Sequence, residues 1–313
     1  MIAILLALCV FYCILFPAKM AGSVADGLVL WYSSVLPTLL PLSIFSNIII
    51  QSGLFDTCFS KIHRFFQFIL PVRPACIYPL IAGFLFGFPM GSKICADLFH
   101  AGKISRSEAE NISCISNNFG PAFLCNYMIR SIHDTSLPAW AVLFASYAPA
   151  LILGRVLVAR HNRTWKNIQQ KIPPSRSQID FKIIDAGIMD GFTTMIKLAG
   201  YIILFAMLAD IVMDLPIQNP QFKCICIGFM EITNGIHAVA QLPGTPLQKY
   251  ILNAGLVNFG GLCGLFQTAS MMKSTGFRIK KYILFKLQCS ILGIGFITAL
   301  YLFFTTAPAC LML

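Results

Sequence analysis

Two long apolar stretches of this chain are interrupted in the same way, at Asn118-Phe119-Gly120-Pro121 and at Asn258-Phe259-Gly260-Gly261. Each interruption follows a shorter apolar segment with a break of its own, at Phe88-Pro89-Met90-Gly91 and at Glu231-Ile232-Thr233-Asn234-Gly235. The separations are close: 27 residues from Gly91 to Asn118 and 23 from Gly235 to Asn258. In a bilayer every backbone N–H and C=O must find a partner, so a broken helix survives only where protein or an internal cavity supplies one. Paired interruptions at matching places in two halves point to the central site of a transporter.

The solvent that this argument assumes follows from composition. Of 313 residues, 57% are hydrophobic and 11% charged, with mean hydropathy +0.76, whereas soluble domains carry about 25% charged residues. The sequence therefore reads as an all-α polytopic membrane protein. A net charge of +11 in such a chain is first an orientation signal, not a nucleic-acid footprint. The twelve cysteines lie mostly inside apolar runs, where Cys is a small hydrophobe. Cys224-Ile225-Cys226 has neither a second cysteine pair nor a local histidine cluster, so no metal site is expected. Met1 to Phe16 resembles a signal-peptide core but lacks a basic leader and a good cleavage site, and is read as a retained helix.

Candidate membrane segments lie at roughly 1–18, 28–52, 75–100, 107–129, 138–159, 186–213, 222–243, 247–272 and 282–304. A spanning helix takes about 20 apolar residues. The breaks in 75–100 and 222–243 leave arms too short to cross, so both are expected to be re-entrant hairpins, leaving about seven spanning helices. With the N-terminus inside, segments 53–74, 101–107, 155–182 and 273–281 hold three, two, seven and four Lys or Arg residues, sixteen in all. The opposite side holds four: Lys19, Arg130, Lys223 and Lys249. That bias is the positive-inside pattern, and counting either hairpin as a full crossing would scramble it. The expected placement is a multi-pass cell-membrane protein with the N-terminus and loop 155–182 cytoplasmic and the C-terminus outside. Residues 53–73, with Phe55, Phe59, Phe65 and Phe66 among Lys61, His63 and Arg64, read as an amphipathic helix at the inner interface.

Three spans separate Asp26-Gly27 from Asp190-Gly191, and an odd number inverts the second half relative to the first. The expected organisation is an extra helix (1–25), a first repeat of span, hairpin, broken span and span (26–160), a basic cytoplasmic linker (161–185) and an inverted second repeat (186–305).

The candidate site residues sit at the breaks. Ser92 and Lys93 open the returning arm of the first hairpin; Lys93 and Asp97, spaced i, i+4, make either an ion pair or a ligand contact. Glu231, Thr233 and Asn234 cluster at the second turn. An acid at membrane depth is a functional candidate by default; it would accept from a hydroxylated ligand, take a proton or hold a cation, or else serve as a backbone-paired structural group. Asn118 and Asn258 precede the helix breaks, and an amide that donates and accepts together suits either ligand recognition or patching of freed backbone groups. Asn117 reads as packing. Ser105-Arg106-Ser107-Glu108 is a capping box, with Glu110 at the interface. Lys197 is read as snorkelling or as a partner for Asp190. No nucleophile–base–acid set is recognisable, so no catalytic residue and no enzyme activity is expected, and no cofactor beyond an open coupling ion, Na+ or H+.

Taken together, Trp31…Val35-Leu36-Pro37-Thr38-Leu39-Leu40-Pro41, Gly87-Phe88-Pro89-Met90-Gly91-Ser92-Lys93…Asp97, the Ser105–Glu110 run, Asn117-Asn118…Pro121 and Glu231…Gly235…Phe259-Gly260-Gly261 resemble the YlbJ-type sporulation integral membrane proteins. That family carries nucleoside-recognition, or Gate, domains similar to those of concentrative nucleoside transporters, spore maturation membrane proteins and the membrane domain of the ferrous-iron transporter. The resemblance runs from about residue 20 to 305. It implies a ligand cradled between two hairpins and two unwound spans, with Glu231 and Asn258 in places similar to a ribose-contacting acid and Asn. The first half departs from the pattern: its tip offers Pro89, Met90, Ser92 and Lys93, with no Gln/Glu pair for a base, and Lys93 favours an anionic ligand if it faces the cavity.

The function expected is therefore a transporter-like membrane protein that moves or binds a small polar solute, nucleoside-like or anionic, with a role in sporulation. The alternative is a non-transporting scaffold for spore envelope or cortex assembly. The partners implied are membrane lipid, the solute, and a second copy or other sporulation membrane proteins, with no nucleic acid.

Overall fold

The computed structural model describes residues 2–52, 69–132, 134, 136–165 and 180–310. The amphipathic segment expected at 53–73 and the middle of the basic linker lie largely outside them. All regular structure among the described residues is helical.

Helix α1 (Ile2–Leu15) ends at Phe16, and Pro17 starts α2 (Pro17–Leu30), its missing N–H harmless at the first helical position. A π-helical turn, Trp31–Val35, joins α2 to α3 (Leu36–Gln51) without a break in the axis. This helix begins eleven residues before the span expected at 28–52. The extension is held at its N-terminal end, where the Lys19 ammonium and the Tyr12 hydroxyl donate to the Asp214 carboxylate and Ser23 donates to Asp210.

A 3-10 turn, Pro74–Cys76, leads into α4 (Ile77–Phe86), and α5 (Met90–His100) returns alongside it. The turn between them is made by Gly87 at φ +87°, a left-handed conformation open to glycine at little cost. Helix α6 (Arg106–Ser116) starts at the capping box read from sequence, with both Ser105 and Glu108 hydrogen bonds formed. It stops at Asn117, and after four non-helical residues Pro121–Phe123, Leu124–Ile129 (a π turn) and Arg130–Ile132 run on as one arm, α7. Helix α8 (Ala139–Trp165) closes the first half.

The second half opens with α9 (Phe181–Asp214). Helices α10 (Pro220–Met230) and α11 (Ile232–Ala240) meet at Glu231, whose extended backbone reverses the chain. Helix α12 (Pro246–Phe259) ends at Gly260 (φ +90°), α13 (Gly261–Met272) follows directly, and α14 (Ile279–Cys310) is last. The four interruptions expected from sequence are thus present.

Among the described residues, four helices are long and apolar enough to cross a membrane: residues 17–51, 139–160, 181–214 and 279–306. Large apolar side chains such as Phe45, Phe144, Ile291 and Phe303 stand exposed on their outer faces. Water would not tolerate that density of exposed hydrocarbon; lipid does.

Loops gather at two ends. At one, Arg73 pairs with Glu108 and donates to the Lys103 carbonyl at 3.3 Å, so the two ends of the α4–α5 pair are adjacent. The Glu108 carboxylate holds the Arg73 pKa above its ordinary value against the opposing effect of burial. Arg278 pairs with Glu110 (2.8 Å), and Arg106 donates to the Gly276 carbonyl at the same end. At the other end, Lys249 donates to the Ala240 carbonyl (2.7 Å), and the Tyr250 hydroxyl donates to that of Asp134 (3.2 Å).

Asp190 lies between the halves. Of the two readings of Lys197, snorkelling or a partner for Asp190, the second does not hold: Asp190 accepts from Lys93 (2.6 Å) and from the Asn47 amide (3.1 Å). Lys93 also pairs with Asp97 at 2.6 Å, as its i, i+4 spacing foretold. Lys197 follows Asp190 by seven residues on the same helix, beyond the three- or four-residue spacing at which helical side chains meet. α5 and α3, packed together, bring Lys93 and Asn47 within reach instead.

Candidate functional site

The first break is built by close contact. A Cβ on Gly120 would stand 2.8 Å from the Leu85 carbonyl oxygen of α4, so the unwound segment lies directly on the first hairpin. Asn117 then ties three elements to it. Its Oδ1 accepts from the Ser92 N–H of α5 (3.3 Å), and its Nδ2 donates to the Thr268 hydroxyl of α13 (2.5 Å) and to Tyr282 of α14 (3.4 Å). Asn118 turns its Nδ2 back to the Ile115 carbonyl (2.7 Å) and offers its Oδ1 to Lys286 of α14 (3.1 Å). The Lys286 ammonium also takes the Asn117 carbonyl and sits over the Phe88 ring, 5.3 Å from its centre.

At the second hairpin the Glu231 carboxylate caps α11, accepting from the Thr233 hydroxyl and from the Asn234 N–H (3.0 Å). It is 4% exposed. A carboxylate is well placed at a helix N-terminus, where the free N–H groups and the helix dipole both favour negative charge.

Two cavities meet at this turn. The smaller, about 450 Å³, is mixed but gathers polar groups: Asp26, Asp210, Asn126, Arg130 and His237 share its wall with Glu231, Thr233 and Asn234. The larger, about 840 Å³, is mostly apolar and runs along both breaks, past Phe88, Phe119, Gly120, Gly260 and Gly264. Leu30, Asn126, Tyr127, Ile202, Glu231 and Thr233 belong to both walls. One side of the larger cavity is an aromatic ladder. Phe119 and Phe123 stack at 4.4 Å, Phe123 and Tyr127 at 4.7 Å, and Phe88 leans on Phe119 at 5.0 Å.

The seven residues read from sequence fall into two groups. Glu231, Thr233 and Asn234 line cavities. Ser92 is fully buried, its hydroxyl 2.5 Å from that of Ser113. Lys93 is held by two carboxylates, Asn118 by Lys286, and Asn258 donates to the carbonyls of Ala254 (3.0 Å) and Ala145 (3.5 Å); none of these four is part of either wall. Sequence reading missed Arg130, Asp26 and Asp210 as cavity groups, and the aromatic ladder, whose members look like any apolar run until their spacing in space is known. It also passed over Lys286, although a lone lysine in an apolar span is itself a signal.

The chain is similar over 88% of its length to the sporulation integral membrane protein YlbJ of Bacillus subtilis (strain 168), at 22% identity and covering 76% of that protein. The match supports membership of the YlbJ family, in agreement with the resemblance carried by the motifs. No protein-family model matches the chain, and no solved structure matches it at a significant level.

Proposed function

We propose that this chain is a transporter-like membrane protein that binds or moves a small polar solute at the junction of the two cavities, and that it serves in sporulation, as the name of its relative suggests. The observation that carries the reading is the aromatic ladder leading to a polar end wall at Asn126, Tyr127, Glu231 and Thr233. Such a wall suits a ligand with a planar ring at one end and hydroxyl or charged groups at the other, which is nucleoside-like chemistry. For an anionic solute the cation in the wall is Arg130, because Lys93 already has Asp97 and Asp190 as partners.

The scaffold is read as an inverted repeat. Contacts in one half have counterparts in the other: α4 on α5 and α10 on α11, α5 on α6 and α11 on α12, α6 on α8 and α12 on α14, and α5 on α13 against α11 on α7. Helices α3 and α9 pack on each other, as do α8 and α14, as two-fold partners would. On this reading α4–α5 and α10–α11 are re-entrant hairpins. Seven crossings follow when α1, the broken pairs α6–α7 and α12–α13, and the four long helices are each counted once.

Uptake into proteoliposomes tests the function, with labelled nucleosides, amino acids, inorganic ions and dicarboxylates as probes. The expected result is saturable uptake or binding of one class, lost in Glu231→Gln. If none moves or binds while Glu231→Gln still supports normal sporulation, the transport reading is wrong and the non-transporting scaffold stands.

A further inference from the structure

Lys286 is 1% exposed on α14, between Ile283-Leu284-Phe285 and Leu287. No carboxylate pairs with it among the described residues. Its ammonium group has instead the Asn117 carbonyl, the Asn118 side-chain oxygen at 3.1 Å, and the faces of Phe88 and Tyr282 at 5.3 and 5.9 Å. A backbone carbonyl, an amide oxygen and ring faces are the neutral donors that bind a desolvated monovalent cation. The place in the fold has the same character. Asn117 follows the last residue of α6, where the final carbonyls of a helix have no intrahelical donor and the helix dipole is negative. Half-helix C-termini and unwound carbonyls are where transporters with broken helices seat free coupling cations.

We propose that Lys286 is a tethered replacement for a free monovalent cation at the first break. Its ammonium group supplies the charge that the Asn117–Asn118 carbonyl cradle requires, so the first half is complete without Na+ or K+. Among the described residues the second break has no such cation: there Asn258 turns its amide N–H group toward the Ala254 and Ala145 carbonyls, and Gly260 makes the turn. The two breaks are alike in sequence and opposite in how their polar groups are satisfied. A lysine charge that is permanently attached fixes the unwound segment against α14 whatever the salt, and places any cation coupling outside this cradle. The inference holds whether or not the protein moves a solute.

The test is the melting midpoint of the purified protein, followed by tryptophan fluorescence at constant ionic strength. In wild type, replacing choline by Na+, K+ or methylammonium should leave the midpoint unchanged. Lys286→Ala should melt lower in choline and regain a few degrees, saturably, with methylammonium or Na+, because a ligand bound only by the folded form raises its midpoint. Lys286→Met, which fills the space without charge, should melt low and not respond. The proposal is overturned if no cation shifts Lys286→Ala more than wild type, or if Lys286→Met melts like wild type. Asn118→Asp keeps the lysine and provides a second reading should the alanine variant not accumulate. The new carboxylate also loses the Nδ2 bond to the Ile115 carbonyl, so the reading is comparative. Asn118→Asp should lower the midpoint much less beside Lys286 than in the Lys286→Met background, and an equal loss in both would mean the charge is not seated at that oxygen.

Discussion

The Glu231 carboxylate already has work before any ligand arrives, since the Thr233 hydroxyl and the Asn234 N–H both donate to it. Its two roles separate by substitution. Glu231→Ala removes the cap of α11 and should lower stability by about 0.5–2 kcal/mol. Glu231→Gln keeps a carbonyl acceptor in the same place and should melt within a degree or two of wild type, while ligand binding falls at least about tenfold, a loss of roughly 1.4 kcal/mol. Paired melting curves and binding isotherms check both; equal destabilisation by the two variants would make the residue purely structural. At this scale the sequence revealed the acid but not the geometry around each amide. Asn118 and Asn258 stand in register at the breaks, yet both spend their side chains on backbone carbonyls or Lys286. Asn117, read as packing, is the one that joins α5, α13 and α14. The rotation of an unwound segment has no periodicity to read, so which of two adjacent asparagines faces a neighbour is decided by tertiary contact alone.

Elements were more legible than side chains, because Pro, Gly and Asn act locally on the backbone. The breaks at 87–89, 117–120, 231 and 260 stand at or within a residue or so of the places those residues predicted. The π turns at Trp31–Val35 and Leu124–Ile129 were not foreseen, since one extra residue per turn leaves no mark in a uniformly apolar run. Of the interruptions, Gly260 makes a strict demand that can be divided experimentally. At φ +90° any L side chain is strained, and a Cβ there would lie 2.6 Å from the Phe88 ring. Gly260→Ala should therefore destabilise by about 1–2 kcal/mol from backbone strain alone, with a further loss from displacing Phe88. Adding Phe88→Leu should recover the steric part and leave the strain. Thermal melts of the two single variants and the double variant measure this, and strict additivity would show that the ring and the turn do not press on each other.

For the whole molecule, the halves are locked together by charge. Lys93 of α5 holds Asp97 on its own helix and Asp190 on α9, each at 2.6 Å. Lys93→Met leaves two carboxylates facing each other without a cation and should destabilise by about 3–5 kcal/mol. Asp97→Asn in the same chain removes one of them and should return part of that loss, whereas Asp97→Asn alone keeps the Lys93–Asp190 pair and should be the milder change. The orientation of the assembly follows from a second set of charges. Arg73, Lys103, Arg106 and Arg278 share one end through Glu108, Glu110 and the Lys103 and Gly276 carbonyls, so the start and finish of the first hairpin lie together. Lys249 and Tyr250 are at the other end with Ala240 and Asp134. If the positive-inside bias sets the direction, single cysteines introduced at the exposed Ala101 and Lys273 in a cysteine-free background should be blocked only by a reagent that reaches the cytoplasm. Cysteines at Asp134 and Gly244 should be blocked by an impermeant reagent added outside. Labelling of position 101 from the opposite face to position 273 would turn the first hairpin into a full crossing, and with it would fall the odd number of spans that inverts one half on the other.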